Sequence, residues 1–301
     1  MLGNHFHKLI LLVTLAALTV VISCRRIQDP PLPDDSNPFA ACVIPGTDNT
    51  LDIVSFNVQG FPKEGYLSIT TLADLLEAMD PDVVALQEVA SETEFNRLVE
   101  LMPGWSGVFY PINNAEWNLA YLIRVSELET VAGSLRTLFE GDHYAFPRPP
   151  MEIMVRHRKS GREIILINLH LKCCEGEDNE NRRRSASEKL KEYLDQQRPD
   201  DAVVMLGDYN DEIASGSATV NPFLNFINDD SSYRFADMEI ALGSKLWWSY
   251  PSWPSHIDHI LVTDELFESI DTTMVIKAST CYPDYEVVIS DHRPLMIVLT
   301  P

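Results

Sequence analysis

Ser290-Asp291-His292-Arg293-Pro294-Leu295, late in a chain of 301 residues, is the stretch on which the reading of the fold turns. It sets a polar pair, Asp291-His292, just before an apolar run. Upstream, four other apolar runs each finish on polar groups able to bind a cation or move a proton. They are Ile53-Val54-Ser55-Phe56-Asn57, Val83-Val84-Ala85-Leu86-Gln87-Glu88, Ile164-Ile165-Leu166-Ile167-Asn168-Leu169-His170 and Ala202-Val203-Val204-Met205-Leu206-Gly207-Asp208-Tyr209-Asn210. Apolar runs rich in β-branched residues mark buried strands. Polar groups repeated at strand ends are what a sheet presents to a common cleft, and these residue types suit hydrolysis.

The apolar and charged fractions, 45% and 23%, are those of a globular protein with a sizeable core. The formal charge of -22 and pI near 4.6 oppose the basic stripe of a tight nucleic-acid binder. They favour tolerance of cations, and a bound divalent ion would invert the field locally.

The N-terminal part reads as a targeting segment. His5, His7 and Lys8 precede an apolar run from Leu9 to Ser23. That run is shorter than the roughly 20 residues a spanning helix needs, so residues 1–23 are expected to be a secretory leader. Val21-Ile22-Ser23-Cys24 resembles a bacterial lipobox, with Val where Leu is usual. Cys24 is thus the expected lipidation site, giving an exported cell-envelope lipoprotein held to a membrane by its anchor. Residues 24–50 carry Pro30, Pro31, Pro33, Pro38 and Pro45 among Asp, Asn and Ser, the composition of an extended tether. The domain proper is expected over 51–301. Export leaves Cys42, Cys173, Cys174 and Cys281 in an oxidising compartment, where three pairings are open. Adjacent cysteines bond each other only with strain, so Cys42 and Cys281 are each expected to take one of the adjacent pair.

From Leu51 onward the pattern shows no repeat and no second linker. Strands are expected at 51–57, 83–88, 107–110, 119–124, 129–138, 151–157, 162–170, 202–208, 256–262, 273–278 and 293–299. Helices are expected at 68–79, from a capping box at Ser91 and Glu94 to Met102, and at 182–196. Strands outnumber helices, which suits two packed sheets with helices outside.

Each motif is weak alone: Gln87-Glu88 could be a buried amide beside a helix charge, and Gly207-Asp208-Tyr209-Asn210 could be a turn. Their order changes this. Asn57, Gln87-Glu88, His170-Leu171, Gly207-Asp208-Tyr209-Asn210, Ile257-Asp258-His259-Ile260 and Ser290-Asp291-His292 closely resemble the endonuclease/exonuclease/phosphatase superfamily, the deoxyribonuclease-like fold. The resemblance implies a four-layered α/β sandwich, two mixed β-sheets face to face with helices outside, and metal-dependent cleavage of a phosphoester. Glu88 is then the main metal ligand, with Asn57 and Asp291 completing or supporting the shell. An oxygen-rich set without thiolates suits Mg²⁺ or Mn²⁺. Asp208 would activate or orient the attacking water and Asn210 hold water or a phosphoryl oxygen. A family histidine matching His292 contacts the phosphate, with an aspartate matching Asp258 bonded to it. His170 matches a second family histidine and is the expected general acid.

Arg148 lies in a segment resembling one whose arginine contacts substrate phosphate, and Lys172 would add charge at the rim. Trp253, in Trp247-Trp248-Ser249-Tyr250-Pro251-Ser252-Trp253, is expected to line the cleft, while at least one of these Trp rings packs the sandwich edge. Arg182-Arg183-Arg184 follows Glu175, Glu177, Asp178 and Glu180 and is expected to be a solvated, internally paired face. Asn57-Val58-Gln59-Gly60 departs from the Asn-x-Asp/Asn-Gly block of abasic-site endonucleases, which argues against DNA repair. The expected substrate is a phosphodiester, from nucleic acid or from a phospholipid or small molecule, and no protein partner is evident. The rival reading is a non-catalytic envelope module that keeps the fold and binds a ligand.

Overall fold

The structure, a computed structural model, describes residues 37–111, 116–214 and 221–301. The expected leader, Cys24 and most of the tether lie outside the described residues.

Among the described residues the chain runs β1 (Leu51–Phe61), α1 (Tyr66–Met79), β2 (Val83–Val89), α2 (Glu92–Leu101), β3 (Trp105–Tyr110), β4 (Asn118–Arg124), β5 (Leu128–Thr130), β6 (Arg136–Thr137), β7 (Met151–His157) and β8 (Glu163–His170). It continues with α3 (Glu177–Gln197), β9 (Val203–Asp208), α4 (Leu224–Ile227), β10 (Tyr233–Phe235), α5 (Met238–Leu242), β11 (Asp258–Thr263), β12 (Ile270–Val275), α6 (Tyr285–Val288) and β13 (Leu295–Leu299). Sheet I has the order β12-β13-β1-β2-β4-β3, and sheet II the order β10-β11-β9-β8-β7-β5, with β6 also on β7. Each sheet is antiparallel except for one parallel pair, β1/β2 in sheet I and β8/β9 in sheet II. Those two pairs are the ones that need a crossover, supplied by α1 and α3.

Alternation along the strands sorts the core into layers. Leu51, Ile53, Val83 and Ala85 of sheet I meet Ile164, Leu166, Val204, Leu206, Ile260 and Val262 of sheet II in one buried cluster. The intervening Val54, Phe56, Val84 and Leu86 pack under α1 and α2 through Leu72, Leu76, Phe95 and Leu98. On the other side Ile165, Ile167, Val203 and Met205 pack under α3 through Ala186, Leu190 and Leu194. The result is the expected four-layered sandwich, α/sheet/sheet/α.

Several expectations need correction. Residues 129–138 are not one strand: β5 and β6 are separate, with Gly133 at positive φ (75°) between them. α3 starts at Glu177, because Glu177, Asp178 and Glu180 suit the positive first turn of a helix. The domain reaches back past Leu51: Phe39 and Val43 are buried in the outer core of sheet I, so the tether's last residues are packed. Cys42 is bonded to Cys281, and Cys173 and Cys174 are free. The expected cross-pairing fails because Cys42 and Cys281 sit together on that same outer core, against α1 and α6. All three cores and the disulfide fall within one compact unit, residues 36–301.

The disulfide closes a loop across 239 positions. The double variant Cys42→Ser, Cys281→Ser is expected to lose about 2–5 kcal/mol in urea unfolding. Peptide mapping that links Cys42 to Cys173 or Cys174 would overturn the pairing.

Candidate active site

The inward-facing series of each central strand turns polar at one end of the sandwich. Along β8, Ile164 and Leu166 are followed by Asn168 and His170, and along β9, Val204 and Leu206 by Asp208. β11 runs the other way and begins at Asp258 before Ile260 and Val262. Pairing sets His170 opposite Asp208, and Asp208 opposite Asp258, so three titratable side chains stand abreast on sheet II. Facing them from sheet I are Asn57 and Gln87, themselves paired. By strict alternation Glu88 would face the helices. Its backbone is left-handed (φ 61°) at a break in the β2/β4 register, and this turns it into the cleft.

Asn57 bridges the sheets, donating from Nδ2 to Glu88 Oε1 (3.0 Å) and Asp208 Oδ2 (2.9 Å). His170 Nε2 lies 3.7 Å from Glu88 Oε1 and 3.6 Å from Asp208 Oδ2. His292 Nδ1 meets Asp258 Oδ2 at 2.8 Å, leaving Nε2 4.0 Å from Asp208 Oδ2 and 3.9 Å from Asp291 Oδ1. The loop holding Asp291 and His292 is pinned at several points: Ser290 Oγ donates to the Asn57 carbonyl (2.6 Å), and Tyr285 Oη donates to the His292 carbonyl (2.8 Å). Asn210, at φ 56°, donates its backbone N–H to Asp208 Oδ1 (2.9 Å) and Nδ2 to the Leu171 carbonyl (3.2 Å).

Burial and like charge dominate the electrostatics. Desolvation, with Asp258 and Glu88 nearby, pushes Asp208 up to about 7 against the opposing pull of His292 and Asn57. Desolvation also raises Glu88 and Asp291. For His292 burial alone would lower the pKa, but the Asp258 carboxylate, helped by Asp208 and Asp291, lifts it to about 10. His170 goes the other way: burial, then Arg148 and His292, hold it well below the usual imidazole range. One imidazole is therefore cationic and the other neutral.

The cleft fits a divalent cation. Glu88, His170 and Asp208 offer ligand atoms within 4.8 Å of one another, as do Asp208, Asp258 and His292, so Asp208 is common to both groups. Asp258 Oδ1 and Asp291 Oδ1 are buried without a hydrogen-bond partner, which leaves lone pairs for an ion. A third group, Asp237, His256 and His259, does not fit one. His256 Nε2 (2.9 Å) and His259 Nδ1 (2.6 Å) meet Asp237 Oδ2, His259 Nε2 donates to the Asp211 carbonyl (2.9 Å), and Ser249 N–H reaches His256 Nδ1 (3.3 Å). Every ring nitrogen is already used there.

Of the other expected residues, the half-buried Arg148 lies over the Trp117 ring (5.5 Å) and feels the charges of Glu88 and Asp208. Lys172 reaches Cys173 Sγ (3.5 Å) on the rim. Trp253 is 72% exposed and, with Asn210 and Tyr250, lines a cavity of about 500 Å³. Trp248 packs inside, donating to the Ile240 carbonyl (3.1 Å). The expectation of a solvated arginine face fails at Arg183, which is 3% exposed. Its guanidinium holds Asp211 Oδ2 (2.8 Å) and the carbonyls of Lys172 (2.8 Å) and Cys174 (3.0 Å), tying the loops after β8 and β9 together. Sequence reading did not find Trp117, whose ring stacks on His170, or Tyr250, whose ring lies 4.9 Å from His292. Neither carries a local signal, although Tyr250 sat within a quoted aromatic run.

The Endonuclease/Exonuclease/phosphatase family model matches residues 54–292, spanning every element of this cluster. The chain belongs to that family. Family membership and the intact cluster make it a metal-dependent phosphoric ester hydrolase, and none of the residues whose loss would favour a non-catalytic module is missing. Among curated proteins no sequence match is found. Solved structures share the fold at low identity. D. rerio TDP2 complexed with single strand DNA product is 15% identical, with a TM-score of 0.65, covering 84% of this chain and 100% of that one. The human Nocturnin catalytic domain with bound sulfate anion is 18% identical, with a TM-score of 0.59, covering 84% and 95%. An endonuclease/exonuclease/phosphatase from Bacteroides vulgatus is 14% identical, with a TM-score of 0.62, covering 83% and 98%.

The two raised values, of Asp208 and His292, give a pH signature. If Asp208 must be anionic and His292 protonated, kcat/KM should rise through about pH 7 and fall through about pH 10. Asp258→Asn removes the charge that raises His292, so the alkaline limb should fall toward about 6.5. An alkaline limb that stays put would take His292 out of the profile.

Proposed function

We propose that this protein is an exported phosphodiesterase that uses Mg²⁺ or Mn²⁺ and is held at a membrane by a lipidated Cys24. The observation that carries the catalytic part is Asp208, within ligand reach of Glu88 and His170 and 4.0 Å from the imidazolium of His292. A phosphodiester repels nucleophiles, so its hydrolysis needs an activated water, charge neutralisation and a proton for the leaving oxygen. Asp208, with a pKa near neutrality, suits proton abstraction from water, and Asn210 beside it suits holding that water or a phosphoryl oxygen. His292, oriented by Asp258, supplies positive charge against the phosphoryl group and carries a proton to give. Glu88 and Asp291 would hold the cation, with Asn57 beside them; once bound, it supplies Lewis-acid neutralisation of phosphoryl and leaving oxygens. Oxygen donors without thiolates favour the harder Mg²⁺ or Mn²⁺.

The part first expected of His170 changes. A neutral ring has no spare proton at neutral pH, so His170 suits donating an N–H hydrogen bond rather than acting as general acid. Trp117 stacks on His170 with Arg148 over its ring, and Tyr250 lies beside His292 near Trp253, so aromatic surface stands beside both imidazoles for the ester's substituents. The DNA product in the similar TDP2 structure and the sulfate in the Nocturnin domain support an oxyanion-binding cleft. The charge of -22 favours a short ester or a headgroup over a long polyanion.

A substrate panel of DNA, RNA, sphingomyelin, phosphoinositides and bis-p-nitrophenyl phosphate, run with and without EDTA, tests the reaction. EDTA should abolish turnover, and Asp208→Asn should reduce it by about 10²-fold or more. Full activity in both would end this reading. Metabolic labelling with a fatty-acid analogue tests the anchor, because label that persists in Cys24→Ser would place the lipid elsewhere.

A further inference from the structure

Gln59 stands where the resembled endonucleases carry a short acid or amide, and its contacts define a separate part for it. Its side chain and Asp291 form a reciprocal pair: Gln59 Nε2 donates to Asp291 Oδ2 (2.7 Å), and the Asp291 backbone N–H donates to Gln59 Oε1 (3.0 Å). Lys63 Nζ donates to the same Oε1, which fixes which end of the amide is oxygen. The Gln59 backbone, left-handed at φ 45°, donates its N–H to Asn57 Oδ1 (2.9 Å). Asn57 in turn bridges Glu88 and Asp208.

These bonds have a directional consequence. With Oδ2 and the backbone of Asp291 both held, its carboxylate cannot rotate, and Oδ1 is left buried and unpartnered, 3.9 Å from His292 Nε2. A carboxylate at position 59 would face Asp291 Oδ2 with like charge. A side chain one methylene shorter would not span both bonds. A neutral, long amide satisfies the geometry.

We propose that Gln59 is the positioning residue of the cation site: it aims Asp291 Oδ1 into the cleft and, through its backbone, sets the amide of Asn57 against Glu88 and Asp208. This rests on the phosphodiesterase reading for the presence of a cation. Gln59 itself neither ligates the ion nor touches the reacting atoms. Outer partners of this kind typically govern metal affinity by 10–100-fold.

The test is Mn²⁺ binding by titration calorimetry on the full chain, compared with the Mn²⁺ concentration giving half-maximal hydrolysis of bis-p-nitrophenyl phosphate. Gln59→Met keeps the bulk and removes both bonds to Asp291 and the one from Lys63. Mn²⁺ should bind about tenfold or more weaker, the half-maximal concentration should rise in step, and saturating Mn²⁺ should restore most of the rate. A purely structural part would lower melting temperature or rate without rescue by metal. Lys63→Met, at the edge of the network, is the second variant and should weaken Mn²⁺ in the same direction to a smaller extent. If Gln59→Met does not fold, Lys63→Met decides. Wild-type Mn²⁺ affinity in the folded Gln59 variant, or in Lys63→Met when it decides, overturns the proposal. A native chain that neither binds Mn²⁺ nor hydrolyses the ester would instead remove the phosphodiesterase reading beneath it.

Discussion

The pairing of β9 with its two neighbours is the constraint from which the rest of the site follows. β9 lies parallel to β8 and antiparallel to β11, so His170, Asp208 and Asp258 share one row. Side chains alternate with a period of two, and a slip of one position in β9 would turn Asp208 toward α3 and leave the cleft without its central carboxylate. Gly207 allows this register. A Cβ there would lie 2.0 Å from the Leu169 carbonyl, so β8 and β9 reach their spacing beside the site only because the residue before Asp208 is glycine. Apolar residues deeper on the same inward faces, Leu166, Leu206 and Ile260, hold the register by burial, each worth about 1.5–3 kcal/mol.

A row fixed this way crowds charge. Glu88, Asp208, Asp258 and Asp291 share the mouth with the cations Arg148 and His292. The acids outnumber the bases in a place water reaches poorly, and Glu88, Asp208 and Asp291 respond by holding protons more tightly. Such an arrangement costs stability unless a cation enters. The same excess explains how an acidic chain could receive an anionic ester, since an ion seated there reverses the local field without any basic surface.

Legibility in the sequence followed the length over which each signal acts. The central strands were readable because eight-residue apolar runs such as β8 carry their own period, and their polar ends named Asn57, Glu88, His170 and Asp208. β10, three residues long, carried no period, and β5 and β6 were merged because the turn at Gly133 breaks a run whose composition does not change. In the basic run at 182–184, charge does not imply exposure. Arg183 is buried by three acceptors, two from the loop just before α3 and one, Asp211, from the loop after β9. The disulfide was misassigned for the same reason: which cysteines meet is decided by the packing of Phe39 and Val43 on sheet I, not by spacing. Gln59 was visible as a departure from a motif, but the reciprocal bonds that give it a part exist only across 232 positions.

The two histidines of the cleft show why residue type alone could not assign roles. His170 and His292 are both buried and both face Asp208, yet their protons lie on opposite sides of neutrality. The difference is one bond. His292 Nδ1 is held by Asp258, whose charge outweighs desolvation, whereas His170 Nδ1 is buried with no partner, and the charges of Arg148 and His292 add to burial against its protonation. Groups of one kind driven apart by their surroundings are how a single fold carries acid and neutral functions together at one pH. β11 supplies that separation: Asp258 faces inward to charge His292, and the next residue, His259, faces outward into the Asp237 network that holds the strand in place. A strand anchored on its outer face by a satisfied ion pair can present an incompletely bonded carboxylate on its inner face, and that carboxylate keeps His292 charged.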